Sequence, residues 1–324
     1  MHTLSFSLRR GTAVLATAIT LAACKDSTPQ SGDGGSPPPG GWVAAVGAQG
    51  EFVQTFDDMS WSARSLGARD LLAVACVGNL DGWAAGAGGL VAHTMDGGRT
   101  WTQQDAHTSA SLRAVRFASV GTGVVAGDAG TLAVTNDAGT RWTTIAPLTS
   151  ATLRSAAVAA NVGVMIVVGD NGVVLRSVDE GASFALGSIA GAGDLRGVAS
   201  DADGHLVLAV DSLGAVWASR DAGEHFARET TAAAPLDAVA LSDDATLAVA
   251  AGAHGTVVER GSDATWRPVA SGTTADLHAA VIVEGTRHYV AGESGTLLES
   301  VDRGTSWSRV ATSSGAALYG LDDL

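Results

Sequence analysis

Five stretches decide the fold: TMDGGRTW (94–101), TNDAGTRW (135–142), SVDEGASF (177–184), SRDAGEHF (219–226) and SVDRGTSW (300–307). Each places Ser or Thr two residues before an Asp, Gly two after it and an aromatic five after it. Looser copies, TFDDMSW (55–61) and ERGSDATW (259–266), extend the series in both directions. The aromatics are Trp61, Trp101, Trp142, Phe184, Phe226, Trp266 and Trp307, separated by 40, 41, 42, 42, 40 and 41 residues. A period of this length, sustained over the chain, is the mark of a repeat architecture.

Working outward, an apolar run opens each unit: Leu71-Leu72-Ala73-Val74, then Leu112, Leu153, Leu195, Leu236 and Leu277 with their neighbours. A second run ends in a Gly turn such as GDAG (127–130) or GDNG (169–172). A third run leads into the Asp-Gly turn, and the aromatic starts a fourth. No segment sustains a 3.6-residue period. Four short strands per unit predict a four-stranded antiparallel blade, and radial repetition predicts an all-β, seven-bladed propeller. The first unit lacks its opening run, since Trp42-Val43-Ala44-Ala45-Val46 leads directly into GAQG (47–50). Leu318-Tyr319-Gly320-Leu321 matches the missing run, so the C-terminal strand is expected to complete blade one. Such closure leaves no open end to the ring.

The propeller is expected over residues 42–324. Residues 1–23 read as an export signal, with Arg9 and Arg10 ahead of an apolar stretch too short to span a bilayer. Residues 24–41 (CKDSTPQSGDGGSPPPGG) are polar and rich in Gly, Pro and Ser, a composition suited to a tether. The end of the leader, Leu21-Ala22-Ala23-Cys24, resembles the bacterial lipoprotein signal. That resemblance implies lipidation of Cys24 and a lipid anchor in a membrane. Lys25 rather than Asp follows the Cys, which by the same resemblance implies the outer membrane, facing the periplasm or cell surface.

The S/T-x-D-x-G-x-x-W units resemble the Asp-box, or BNR, repeat. Asp96, Asp137, Asp179, Asp221 and Asp302 are expected to be structural, their carboxylates accepting backbone N–H groups within the hairpin loops. Trp101, Trp142 and Trp307 are expected to bury apolar surface between blades. Asp-box propellers include sialidases, but the units LxAV…GxxVAGxxGxLxxSxDxGxxW are most similar to the photosystem II stability/assembly factor family. That resemblance implies a single seven-bladed, often membrane-associated propeller that works as a non-enzymatic assembly scaffold with a protein partner.

Composition narrows the function independently. The chain has 324 residues, 46% of them hydrophobic, and a formal charge of −14, with all but one of its 19 Lys and Arg residues being Arg. An acidic chain is a poor ligand for nucleic acid, whose affinity comes from phosphate neutralisation. Two cysteines exclude a disulfide scaffold. Cys76, in an apolar run, is expected to be an inert core thiol. The scattered His residues show no metal-ligand spacing, and the Gly turns precede no helix, so neither metal nor cofactor is expected. Adjacent carboxylates such as Asp243-Asp244 point to opposite faces of a strand and make no catalytic dyad.

The inner strands and the Gly turns share one face of a propeller. That face is expected to hold Asp128, Asp170, Asn171, Asp211, His254 and Glu293 from the turns. Arg113, Arg154, Arg196, Asp237 and His278, each following the first Leu of an inner strand, should join them. Three Arg at one register form an arc whose planar forks suit carboxylates on a partner. The competing expectation is that these Arg pair with Asp128, Asp170 and Asp211 and tie the face together. A glycan-binding or sialidase-like hydrolase is the alternative function. Against it, the chain has two Tyr, Tyr289 and Tyr319, and no Arg-Ile-Pro motif. The chain is expected to be monomeric.

Overall fold

The computed structural model describes residues 42–57, 60–78, 80–283 and 286–323. Cys24, the leader and the tether lie outside the described residues. Among the described residues no helix is long and apolar enough to cross a membrane.

Every repeat becomes one four-stranded antiparallel sheet, and there are seven. Blade two shows the plan: an inner strand Leu71–Val77, then Asp81–Gly86, Leu90–Thr94 and the outer Thr102–Asp105. Blade one runs from both ends of the propeller, in the order Leu318–Asp323, Val43–Gly47, Glu51–Thr55, Ser62–Ser65. The C-terminal strand is its innermost member, with Ala45 opposite Leu321 and Val43 opposite Asp323. The expected closure is therefore present.

The core is not one mass but seven seams, because successive residues of a strand face opposite neighbours. Val43 and Ala45 pack toward blade seven with Tyr289, Leu297 and Leu318. Ala44 and Val46, between them in sequence, pack toward blade two with Leu71, Val74 and Trp101. One buried apolar cluster occupies each of the other seams in the same way. The first Leu of each inner strand is at most 2% exposed, from Leu71 round to Leu318. Burial of one such side chain is worth about 2 kcal/mol.

Two loop devices hold the blades in shape. In the Asp-box, the Ser or Thr hydroxyl is the hub: Thr94 Oγ1 donates to Asp96 Oδ1 at 2.8 Å and accepts the Gly98 N–H at 2.9 Å. Asp96 Oδ1 then accepts the Thr100 N–H at 2.8 Å. The same three bonds recur around Asp137, Asp179, Asp221 and Asp302. Hydrogen bonds from Ser306 and Ser300 lower the Asp302 carboxyl to about 2. Gly304 is left-handed at φ 78°, and a Cβ there would strike the Glu259 carboxyl of blade six at 2.1 Å. The first repeat keeps this device in shortened form, with Thr55 Oγ1 and the Ser60 N–H both on Asp57 Oδ1. The expected structural Asp residues and the burial of Trp101 and Trp142 follow this geometry; Trp307 is half-buried.

The second device is at the opposite end of the blades. In every blade the residue opening the Gly turn donates its N–H to the carbonyl just before the inner strand, as Asp128 does to Ser111. A Cβ on Gly127, the preceding residue, would lie 2.0 Å from that carbonyl. Side chains before the inner strands also reach back one blade: Asp70, Asp194 and Asp276 accept the N–H of Gln49, Asn171 and His254.

The closing strand adds an electrostatic clasp. Asp322 Oδ1 lies 2.7 Å from an Arg116 guanidinium nitrogen in blade three, and Asp322 Oδ2 accepts the Cys76 N–H of blade two at 2.8 Å. Cys76 is partly buried at the edge of the seam rather than in the core, and burial, with Asp322 and Asp323 adding to it, pushes its thiol well above its ordinary value, which disfavours the reactive thiolate.

Deleting residues 316–324 removes two buried Leu, the pairing of Val43–Gly47 and this clasp. The expected cost is at least about 5 kcal/mol. Thermal denaturation followed by circular dichroism should show a much lower or non-cooperative transition; a cooperative melt at the parent temperature would refute the role of the strand.

Candidate functional site

One register position faces the channel mouth in all seven blades, the second residue of each inner strand. Read round the ring from blade one, it holds Tyr319, Leu72, Arg113, Arg154, Arg196, Asp237 and His278. These seven, with Asp70 and Glu293, line an open cavity of about 530 Å³. The first residue of each inner strand is the buried Leu, and the third is always small: Ala73, Ala114, Ser155, Gly197, Ala238, Ala279 and Gly320. Neighbouring strands come close there, since a Cβ on Gly320 would lie 3.0 Å from the Cα of Ala73. Small side chains below thus narrow the channel and leave the second position as the floor of the mouth.

The three arginines do share one arc, and each is tied to an acid. Arg113 Nε donates to Asp128 Oδ1 at 2.6 Å, and Arg154 pairs with Asp170 in the same manner. Arg196 departs from the expected pairing. It reaches across to the next blade and bonds Asp237 Oδ1 at 2.5 Å. Asp237 Oδ2 faces His278 Nδ1 at 3.1 Å, and His278 Nε2 faces Glu293 Oε1 at 3.2 Å. Arg196, Asp237, His278 and Glu293 therefore form one chain over blades five, six and seven. The bond to Asp237, then that to Glu293, raises His278 against the opposing effect of burial. Burial works against ionisation of Asp237, but the hydrogen bonds from His278 and Arg196 outweigh it and leave its carboxyl below the ordinary value.

Asp211 is a correction. Expected on the binding face, it is 0% exposed. It stands where the other blades carry the first turn Gly, and its carboxylate turns inward. It accepts the N–H groups of Gly193, Leu213 and Ala215 and, at 2.9 Å, the indole N–H of Trp217. Four donors satisfy it completely, so nothing of it remains for a partner. His254 is exposed at the apex of its turn beside Asp276, on the expected face but outside the lining of the mouth. Asp128, Asp170, Glu293 and the three arginines stay at the face. Sequence reasoning missed Asp70, Leu72 and Tyr319. The register would have found Leu72 and Tyr319, which follow the first Leu of their strands as the arginines do. Among the described residues no group of three or more His, Cys, Asp or Glu is placed to hold a metal ion.

Two measurements follow from this geometry. Asp211→Ala leaves four donors without their acceptor, two of them fully buried, and should cost about 3 kcal/mol, roughly 5–10 °C in melting temperature. An unchanged melting curve would contradict the buried role. For His278, the raised value means its charged bonds stabilise the fold fully below about pH 6.5. That contribution is lost as pH rises through the folded-state value. His278→Gln should therefore be less stable than the parent by about 1 kcal/mol at pH 5.5, with the gap closing by pH 9. A gap independent of pH would refute the ionic bridge.

Two solved structures share this fold. The structure of YCF48 bound to D1 peptide superimposes with a TM-score of 0.61 at 17% identity, covering 91% of this chain and 97% of that one. YCF48 from Cyanidioschyzon merolae superimposes with a TM-score of 0.58 at 16% identity, covering 75% and 85%. At these identities the likeness is one of fold. No curated protein sequence matches. The sequence profile described as photosynthesis system II assembly factor YCF48 matches residues 53–321, from the third strand of blade one to the strand that closes it. The chain belongs to the photosynthesis system II assembly factor YCF48 family.

Proposed function

We propose that this chain is a non-enzymatic, lipid-anchored scaffold that receives a segment of a protein partner in its channel mouth. The observation that carries the reading is the mouth itself: a preformed polar cavity whose floor comes from all seven blades. A site shared by every blade is rigid, and a rigid face binds without a large ordering cost. The arginine arc keeps about a third of each side chain exposed beside its acid. An incoming carboxylate can join these pairs through the remaining guanidinium N–H groups. Support also comes from a family member whose structure holds a peptide, the D1 peptide.

The hydrolase reading is disfavoured by the same residues. Three Arg, a Tyr and several carboxylates do meet in one cavity. Yet each guanidinium already has an acid partner. Burial, then Glu293 and Asp70, push the Tyr319 phenol above its ordinary value, the wrong direction for a nucleophile. For the anchor, the reading rests on Cys24 and its leader; export to the outer membrane is part of the same proposal.

In-cell crosslinking of the tagged full chain, followed by mass spectrometry, tests this. One dominant partner is expected, with capture reduced at least about tenfold when Arg113, Arg154 and Arg196 are all Ala and the fold still melts cooperatively. In the same cells Cys24→Ser should move the chain from the membrane to the soluble fraction. Undiminished capture by the triple variant would remove the arginine arc from the site. Turnover of a fluorogenic glycoside, abolished by one Asp or Glu change, would restore the enzyme.

A further inference from the structure

The charges of the mouth do not add up to a basic patch. Arg113, Arg154 and Arg196 are matched one to one by Asp128, Asp170 and Asp237. Asp70 and Glu293 stand on the opposite side, where blades seven, one and two meet, Asp70 with no Arg or His partner among the described residues and Glu293 with only the titratable imidazole of His278. Tyr319 lies between them on the channel floor. Its phenol is raised first by burial and then by Glu293 and Asp70, so both carboxylates are within electrostatic reach of it. Lysine offers no competing charge, since the chain's single Lys is Lys25, outside the described residues. Arg69, next in sequence to Asp70, is directed toward Gly88 in the turn of blade two and does not line the cavity.

We propose that Tyr319, Asp70 and Glu293 form a cation subsite, which takes a Lys or Arg side chain of the segment bound in the mouth. This deepens the scaffold reading and rests on it only for the identity of the ligand's carrier. An aromatic ring attracts a cation over its face, and two carboxylates beside it supply charge-assisted hydrogen bonds. Asp70 spends one acceptor position on the Gln49 N–H at 2.8 Å and keeps the others. Glu293 spends one on His278 and is half exposed. The mouth is therefore two-sided: blades three to five present paired guanidiniums, and blades seven, one and two present acids around an aromatic. A partner segment carrying a carboxylate and a basic side chain would lie across it in one direction only.

His278 couples the subsite to pH. It faces Asp237 from blade six and Glu293 from its own blade, its ring centroid lies 5.7 Å from that of Tyr319 in blade one, and Asp237 also holds Arg196. Protonated, it neutralises part of the charge on Glu293. A cation is bound more tightly once it is neutral.

The two tyrosines make the test simple, because Tyr289 is wholly buried in the seam between blades seven and one while Tyr319 is at the mouth. The full chain in detergent, labelled with 3-fluorotyrosine, gives two ¹⁹F signals, and Tyr319→Phe assigns them. N-acetyl-arginine amide is the probe, and N-acetyl-citrulline amide its uncharged isostere. The Tyr319 signal is expected to shift saturably with the arginine amide, at least about tenfold more tightly than with citrulline, while Tyr289 stays still. Asp70→Asn with Glu293→Gln should abolish the shift with the Tyr289 signal unchanged. Affinity should rise between pH 6 and 8 and become flat in His278→Gln. No saturable shift, an equal shift with citrulline, or a shift that survives the double variant would overturn the subsite. If any of these occurs while partner capture still depends on the arginine arc, the scaffold reading stands and only the subsite falls.

Discussion

The middle strands of every blade divide their side chains between two neighbouring blades, and the rest of the structure depends on that division. Val43 and Ala45 belong to one seam, Ala44 and Val46 to the next. No blade owns a core of its own, so a blade is stable only between two others. An open chain of seven blades would leave two apolar faces bare; a closed ring leaves none. Closure by a strand from the far end of the domain makes blade one the joint of the whole ring. It is reinforced where reinforcement reaches furthest, by an Asp322 that touches blades two and three as well.

The Asp-box serves the same constraint from the other end of the blades. Its Asp is largely exposed and charged, which invites a functional reading. Yet the carboxylate is occupied by the Ser or Thr hydroxyl and by the N–H four residues on. What the loop delivers is backbone: a left-handed Gly that lies against the preceding blade, as Gly304 lies over Glu259 and Gly139 over Gln104. The hydroxyl two residues before the Asp is the buried polar side chain of the motif, with Thr94, Thr135, Ser177, Ser219 and Ser300 all at 2% exposure or less. It explains why Ser or Thr, and not any small residue, stands there.

The ring and its closure were legible in the sequence because each unit must satisfy the same packing, so the same residue types recur about every 41 positions. The missing opening run of the first unit and its spare copy at the C-terminus then specify the joint. The site was legible only in part. Register brought Arg113, Arg154, Arg196, Asp237 and His278 together, since equal places in equal blades must meet at the channel. Partners across blades were not legible. Arg196 lies 15 residues before Asp211 and 41 before Asp237, yet it bonds the latter, because the inner strands converge at the axis. Asp211 was misjudged for a related reason. Its place in the turn is one where other blades tolerate no Cβ, and a side chain there must fold inward.

The repeats also show where this chain is free to specialise. Along the inner strand the first position is Leu in all seven blades and the third is Ala, Ser or Gly in all seven, and each has a packing reason. The second is Tyr, Leu, Arg, Arg, Arg, Asp and His. It touches neither seam core and faces the cavity, so packing does not constrain its identity. Seven positions that are equivalent in geometry and different in chemistry give the ring a direction. The order is not mixed: three guanidiniums stand consecutively, followed by acid and imidazole, then the aromatic and Leu72. Had these residues served only to tie blade to blade, alternating charges would have linked every neighbouring pair. Instead the arginines of blades three and four turn to acids of their own blades, and the hydrogen bonds that join one second-position residue to another are confined to blades five to seven. A ring with like charges grouped on one side has a polarity that its own stability does not require, and that polarity is what a bound segment would meet.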